Sequence, residues 1–533
     1  MKSYWIDTSE DLKELSSLTE NISADICVIG AGIFGLTTAY YLTRKGFNVV
    51  IIDKNNIGEK ASGYTTAKIT SQHGLIYNYL IESFGIDFAK KYLNANQEAI
   101  NNIKSIIDTE NIDCDFEYQD NFIYTNTSVE LPKIEKEITA VNSLNFNAQF
   151  VSNIELPIKN LGAIKFPNQA QFNPRKYMLG LAKCILKNKG KIFINTTATN
   201  VKQDGNSYIV YANRNKILSK YVVLASHYPF INIPGFYFTK MYQDTSYVIG
   251  VKTNSKLFNG MYINAENPTF SFRTAQYNND KILLFGGVCH KTGQGANMQS
   301  TYDILEKEIK KIYPNSHILY KWNTRDCITL DKIAYIGHFS NLMPNIFIGT
   351  GFNKWGMTTS NVAANIICDL ITNNKNKYKD IFSSTRMSPI KNRWEMKNIL
   401  KESSYSLLIN KLKIAPDKLN EIKNNSGGII DINGSKIGIY KDINGKIFAV
   451  KPMCTHLGCL LSWNDLDKTW DCPCHGSRFN YDGKNLYDPA FKNLEIFDIN
   501  SWNLCFFIDL YFSFCYNTSI NHIFICFIFC LLN

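Results

Sequence analysis

Two short loops late in the chain carry the densest chemistry. Cys454-Thr-His456-Leu-Gly458-Cys459 is followed by Cys472-Pro-Cys474-His475-Gly476-Ser477, with fifteen residues between His456 and Cys472. Together they offer thiolates and imidazoles on two loops. Thiolates suit a ferric iron, and neutral imidazoles suit a more easily reduced one. Exchanging two thiolates for two histidines removes negative charge and raises the potential of an iron–sulfur pair. The spacing lets each loop give one ligand to each iron. A Cys2His2 zinc site and a redox cysteine motif compete with this reading. Zinc leaves the Gly-Ser after His475 and the second cysteine pair unexplained.

A second constellation stands near the start. Asp25–Gly30 (DICVIG) reads as a buried strand, and Gly30-Ala-Gly32-Ile-Phe-Gly35 follows at once. Leu36–Lys45 reads as a helix, and the apolar strand Val49–Ile52 ends on Asp53. This is a dinucleotide-binding fingerprint in its required context. Gly30 allows the tight turn, Gly32 lets the backbone approach a pyrophosphate, and Gly35 lets the helix pack on the strand. The helix N-terminus offers free N–H groups and a positive dipole to phosphates. Asp53 is placed to accept a hydrogen bond from a ribose hydroxyl.

The elements around these loops set the architecture. From Gly427 the chain shows short alternating strands with turns at Asn433-Gly434 and Asn444-Gly445, a small all-β module. Earlier, Tyr221–His227 reads as a strand leading into a small-residue turn. Asn345–Thr358 reads as a strand and Gly-rich turn, and Ser360–Ile371 as a helix. A length of 533 residues fits two to four domains. With 45% apolar and 19% charged residues, disorder and collagen-like fibre are excluded. The net charge of +11 invites a nucleic-acid reading, but only eight of the 57 basic residues are Arg and no dense basic run exists. The charge reads as a Lys-rich codon bias, and no nucleic-acid partner is expected.

The 14 cysteines fall into six scattered ones, four in the two loops, and four in the last 33 residues. The N-terminal MKSYWIDTSEDLKELSSL has no apolar core of signal-peptide length, so a cytoplasmic protein is expected. The tail 501–533 has two apolar runs, each short of the roughly 18 to 20 residues of a spanning helix. It reads as a membrane-associating hairpin, as extra strands, or as out-of-frame sequence without a role.

The segments around the fingerprint resemble the D-amino-acid oxidase, glycine oxidase and sarcosine oxidase superfamily of FAD enzymes, over roughly residues 24–375. The resemblance implies an α/β Rossmann-like FAD-binding domain, residues 24–380 after an extension 1–23. It also implies an antiparallel-sheet substrate subdomain at about 150–330. Ser62, Thr65, Thr66 and Lys68 are then expected beside the phosphates and flavin, and Gly351, Lys354, Trp355 and Gly356 around the isoalloxazine ring. Asp53 stands where many members carry Glu. Arg273, on Thr269-Phe-Ser-Phe-Arg, is a candidate for a substrate carboxylate, against an exposed strand arginine. His290 and His227 are candidates for the flavin pocket, against structural histidines.

Beyond a linker at 381–426, residues 427–500 resemble a Rieske [2Fe–2S] domain. The resemblance implies Cys454 and Cys472 on one iron and His456 and His475 on the other. It implies a Cys459–Cys474 disulfide, as in the cytochrome bc-complex type. Asp488-Pro489-Ala490 resembles the loop covering the cluster. Where that type has a Tyr whose hydroxyl bonds a ligand sulfur, this chain has Phe479; Ser477 remains. Losing one hydrogen bond to sulfur lowers the potential.

As a whole the chain resembles bacterial FAD-dependent oxidoreductases with a C-terminal Rieske domain. That implies oxidation of an amine or amino acid, with electrons passing from flavin to cluster and on to an unidentified acceptor. It also favours dehydrogenase over oxidase behaviour. A reductase or monooxygenase component with reversed flow, and an electron-transfer or redox-sensing protein, remain alternatives.

Overall fold

The protein is described here by a computed structural model covering residues 2–292, 298–386, 419, 421–432 and 434–497. The apolar tail, most of the expected linker and Asn433 lie outside the described residues.

Strand Ile22–Ile29 pairs in parallel with Val49–Ile52 on one side and Asn215–Leu224 on the other. Met343–Thr350 extends the sheet beyond Asn215–Leu224, and Lys191–Phe193 beyond Val49–Ile52. Val49–Ile52 (VVII) is buried throughout, as a parallel strand covered on both faces must be. Helix Ile33–Arg44 begins inside the glycine fingerprint, three residues before the expected start, with Gly32 as its N-cap. Gly35 therefore sits in the first turn, where an added Cβ would lie 1.9 Å from the Gly30 carbonyl oxygen. The helix packs against Gly356–Ile371, which starts four residues before the expected Ser360.

A second sheet of nine strands crosses over this layer. It is mainly antiparallel, with one parallel pair between Met261–Asn264 and Glu117–Thr125. Its strands run from Lys68–Ile69 to His317–Thr329, and the 191–224 stretch belongs to the first sheet. The nine-stranded sheet is thus interleaved in sequence with the eight-stranded parallel-centred one. The chain crosses between the layers several times, which a linear division cannot follow.

The C-terminal module has two small antiparallel sheets. Ser426–Ile432, Ser435–Lys441 and Ile447–Val450 form one; four three-residue strands between Ser462 and Tyr487 form the other. Gly434 and Gly445 take positive φ at the turns, at +79° and +82°. The module has its own core, in which Trp470 and Phe479 are fully buried with the four loop cysteines. Among the described residues no helix is long and apolar enough to cross a membrane.

Candidate cofactor cavity and metal centre

A cavity of about 740 Å³ opens at the C-terminal edge of the parallel sheet, beneath the nine-stranded sheet. Gly30, Gly32, Asp53, Ser62, Thr65, Thr66, Lys68, Lys354, Trp355 and Gly356 all line it. Gly35 and Gly351 do not; they act on the backbone behind the wall. Gly351, at φ +69°, leaves room for Thr329, whose Cγ2 would lie 2.3 Å from an added Cβ.

The walls suit a dinucleotide. Gly30 holds φ +120°, and an added Cβ would lie 2.4 Å from the Ala225 carbonyl oxygen. Glycine at this position therefore lets the tight turn pack directly on the Ala225 carbonyl. Asp53 Oδ2 accepts from the Ala31 N–H at 2.7 Å, and Oδ1 from the Asn55 N–H at 2.8 Å. Burial pushes its carboxyl up to about 6, against the pull of those N–H groups. Helix Gly356–Ile371 has no side-chain cap, and its first residues face the cavity. Beside them Lys354 pairs with Asp244 at 3.3 Å. Burial alone would pull this ammonium down, but Cys289, Asp244 and Asp326 outweigh it and hold the charge. A helix N-terminus and a cation thus meet at one end of the cavity. Trp355 stacks on His73 at 5.0 Å. Lys68 is buried, donating to Ser271 Oγ at 2.6 Å and the Tyr262 carbonyl at 2.9 Å.

The three substrate candidates separate. Arg273 is buried at 2% exposure, so it is not an exposed strand arginine. Nor does it face the cavity: its guanidinium donates to the carbonyls of Thr66, Ala67, Phe172 and Thr274. Those bonds occupy Nε and Nη1 and fix the hydroxyl-rich segment of the cavity wall. His290 also lies off the cavity, its Nε2 2.8 Å from the Tyr247 hydroxyl. His227 does line the cavity, with φ +66°, and burial lowers its pKa to about 4.

In the C-terminal module both cysteine loops close on themselves. The Gly458 N–H bonds the Cys454 carbonyl at 2.8 Å, and the Gly476 N–H the Cys472 carbonyl at 3.0 Å. Cys459 and Cys474 form a disulfide between the loops. The Cys459, Cys472 and Cys474 sulfurs gather within 4.8 Å, but with two of them bonded together that trio offers one thiolate. The candidate set is Cys454, His456, Cys472 and His475. The two imidazole centroids are 5.0 Å apart. Nδ1 of His456 and both ring nitrogens of His475 are buried without a hydrogen-bond partner. Burial lowers the two imidazoles to about 4 and about 3, so both are neutral near pH 7, as metal ligands must be. These residues fit a two-thiolate, two-imidazole centre. Ser477 Oγ interacts with Cys454 and accepts from the Ala490 N–H at 3.0 Å, tying the Asp488–Ala490 loop over the site.

The two sites share a seam that no sequence motif announces. Lys54 pairs with Asp488 at 2.7 Å, and Lys60 donates to the Leu486 carbonyl at 3.0 Å. The Tyr487 ring lies under both Lys60 and Arg325, at 4.1 and 4.3 Å from its centroid. Gln243 Nε2 donates to the His475 carbonyl at 2.8 Å. Gly476, at φ +83°, permits that approach, since an added Cβ would come within 2.9 Å of Gln243. His456 Nε2 lies 2.6 Å from Asn232 Oδ1, and Phe238 meets both imidazoles edge-on. Residues of 484–493 also line the cavity.

Comparison with known proteins follows this division. The model of the FAD dependent oxidoreductase family matches residues 25–370, and that of the Rieske [2Fe-2S] domain matches 414–498. YhfW of Bacillus subtilis (strain 168), named as a Rieske 2Fe-2S iron-sulfur protein, is 37% identical over 94% of this chain and 98% of its own. Gamma-glutamylputrescine oxidoreductase of Escherichia coli (strain K12) is 21% identical over 72% of this chain and 91% of its own. The crystal structure of glycine oxidase from Geobacillus kaustophilus superposes with a TM-score of 0.59 and 14% identity, over 69% of this chain and 99% of that one.

Proposed function

We propose that this chain, which belongs to the FAD dependent oxidoreductase family and carries a Rieske [2Fe–2S] domain, oxidises an amine or amino acid and delivers the electrons through its cluster to an external acceptor. FAD and the [2Fe–2S] cluster are its cofactors. FAD supplies a ring able to take a hydride and give electrons up singly, and the cluster supplies a one-electron carrier.

The observation that carries the reading is the shared wall. The loop 484–493 lines the FAD cavity and, through the Ala490–Ser477 bond, covers the candidate cluster site. The chain's own residues then have these tasks. Gly30, Gly32 and the N-terminus of Ile33–Arg44 receive the pyrophosphate, and Asp53 a ribose hydroxyl. Ser62, Thr65, Thr66 and Lys68 line the phosphate-to-flavin stretch. Lys354 and the N-terminus of Gly356–Ile371, which meet at one end of the cavity, would supply positive charge to a bound flavin ring. Cys454 and Cys472 would hold one iron, and His456 and His475 the other. The names of glycine oxidase and gamma-glutamylputrescine oxidoreductase support an amine or amino acid as substrate. The cluster favours dehydrogenase over oxidase behaviour, and the acceptor is a separate redox partner.

Anaerobic mixing with a panel of amines and amino acids, and separately with NADH, tests the reading. Bleaching of the flavin band by a panel member is expected. Bleaching by NADH alone would instead make the chain a reductase component, and no bleaching by either would leave electron transfer or sensing.

A further inference from the structure

His456 has a contact that His475 lacks: its outer nitrogen meets a side chain of the FAD-binding part, whereas His475 meets the backbone of Phe238 there. Nε2 lies 2.6 Å from Asn232 Oδ1, while Nδ1 is buried with no partner. A neutral imidazole carries one proton. A carboxamide oxygen only accepts, so the proton sits on Nε2 and leaves the lone pair of Nδ1 for iron. Asn232 is held for this contact: its own carbonyl accepts from the Phe236 N–H at 2.8 Å, closing a turn. Phe238, on the same segment, sits edge-on to both imidazoles at 6.5 and 6.0 Å. Gln243 also holds the His475 carbonyl.

We infer that Asn232 is a positioning residue for the iron–sulfur centre, fixing the tautomer and orientation of His456 from outside the Rieske domain and lowering the potential of the cluster. An acceptor on the outer N–H of a metal-bound imidazole makes that ligand more basic and favours the more oxidised metal. The potential of the cluster is therefore set partly by docking onto the FAD-binding part. By linkage, reduction of the cluster weakens the docking by the same free energy. The inference rests on the ligand assignment proposed above, but not on which substrate reduces FAD.

The test is an EPR-monitored redox titration of the full-length holoprotein beside Asn232→Leu and Asn232→Asp, with FAD content and iron content measured on each. Leu removes the acceptor at similar size; Asp strengthens it. The expected result is an upward shift of the cluster midpoint in Asn232→Leu and a downward shift in Asn232→Asp, with FAD and iron retained. Equal midpoints in all three proteins would overturn the role of Asn232. Loss of the cluster from both variants with FAD retained would overturn it too, since a residue acting at the outer edge of the ring is not needed for assembly. A Rieske-type signal missing from the unsubstituted protein would instead overturn the ligand assignment.

Discussion

The FAD cavity draws its walls from residues scattered between Ile29 and Asn493, whereas the candidate cluster site is made by two six-residue loops, Cys454–Cys459 and Cys472–Ser477. The first holds a long ligand by backbone approach, a helix N-terminus and isolated side chains from two sheets. The second is a small centre whose donors are folded around the metal position and braced by a disulfide. A long, flexible ligand needs a scaffold assembled over hundreds of residues; a compact centre needs local turns of the right shape. The loop 484–493 is where the two designs meet.

The comparison breaks first if the sites are not separable. His475→Ala is expected to abolish the Rieske EPR signal while the flavin absorbance stays. Gly30→Val, which forces a side chain against the Ala225 carbonyl at a φ that L residues rarely adopt, is expected to remove the flavin absorbance while the EPR signal stays. Either variant losing both cofactors would show that the two sites assemble as one.

A smaller effect concerns the brace beneath the cluster loops. Arg478 is buried and bonds Asp471 through Nε at 2.6 Å and Nη2 at 3.0 Å, with Asp467 on Nη1 at 2.6 Å. Burial by itself would push the Asp471 carboxyl up, but Arg478 outweighs it and holds the group at about 2. A depressed carboxyl stabilises the fold above its unfolded pKa of roughly 3.9 and loses that contribution as pH falls through the folded value. The Rieske domain is thus expected to lose stability between about pH 4 and 2, by on the order of 2 kcal/mol from this group. Asp471→Ala, which leaves a buried guanidinium short of its main partner, should cost about 3 to 5 kcal/mol at neutral pH. Cluster loss during denaturant titration, followed by visible circular dichroism, reads both; no change in midpoint would remove the brace from the account.

The smallest expected effect sharpens the cluster side. Phe479 is fully buried in the module core, so a hydroxyl there would reach no bulk water. Phe479→Tyr is expected to raise the cluster potential and Ser477→Ala to lower it, each by the equivalent of about 1 kcal/mol per hydrogen bond. Protein-film voltammetry measures both, and shifts of the opposite sign would reject hydrogen bonding to sulfur as the control.

What the sequence reveals follows the same contrast. The cysteine loops are legible in full, because every candidate donor lies within a few positions of another. The fingerprint from Gly30 to Asp53 is legible because strand, turn and helix are adjacent, although the helix starts at Ile33 inside the glycines. Arg273 is not legible: an apolar strand with one arginine does not say that Thr66 and Ala67 will lay their carbonyls against the guanidinium. Asn232, Gln243, Arg325 and Tyr487 come from four separate segments, and only tertiary packing brings them together. Nor could linear order show the interleaving of the two large sheets, since Lys68–Ile69 joins a sheet whose far edge is His317–Thr329.

The central claim is that FAD and the cluster of one chain exchange electrons across the shared seam. The most direct test reduces the flavin with light in anaerobic protein, without substrate, and follows the Rieske EPR signal by rapid freezing at several protein concentrations. The account predicts that the signal grows at a rate independent of concentration. A reduced flavin with no cluster signal, or a rate proportional to concentration, would contradict it.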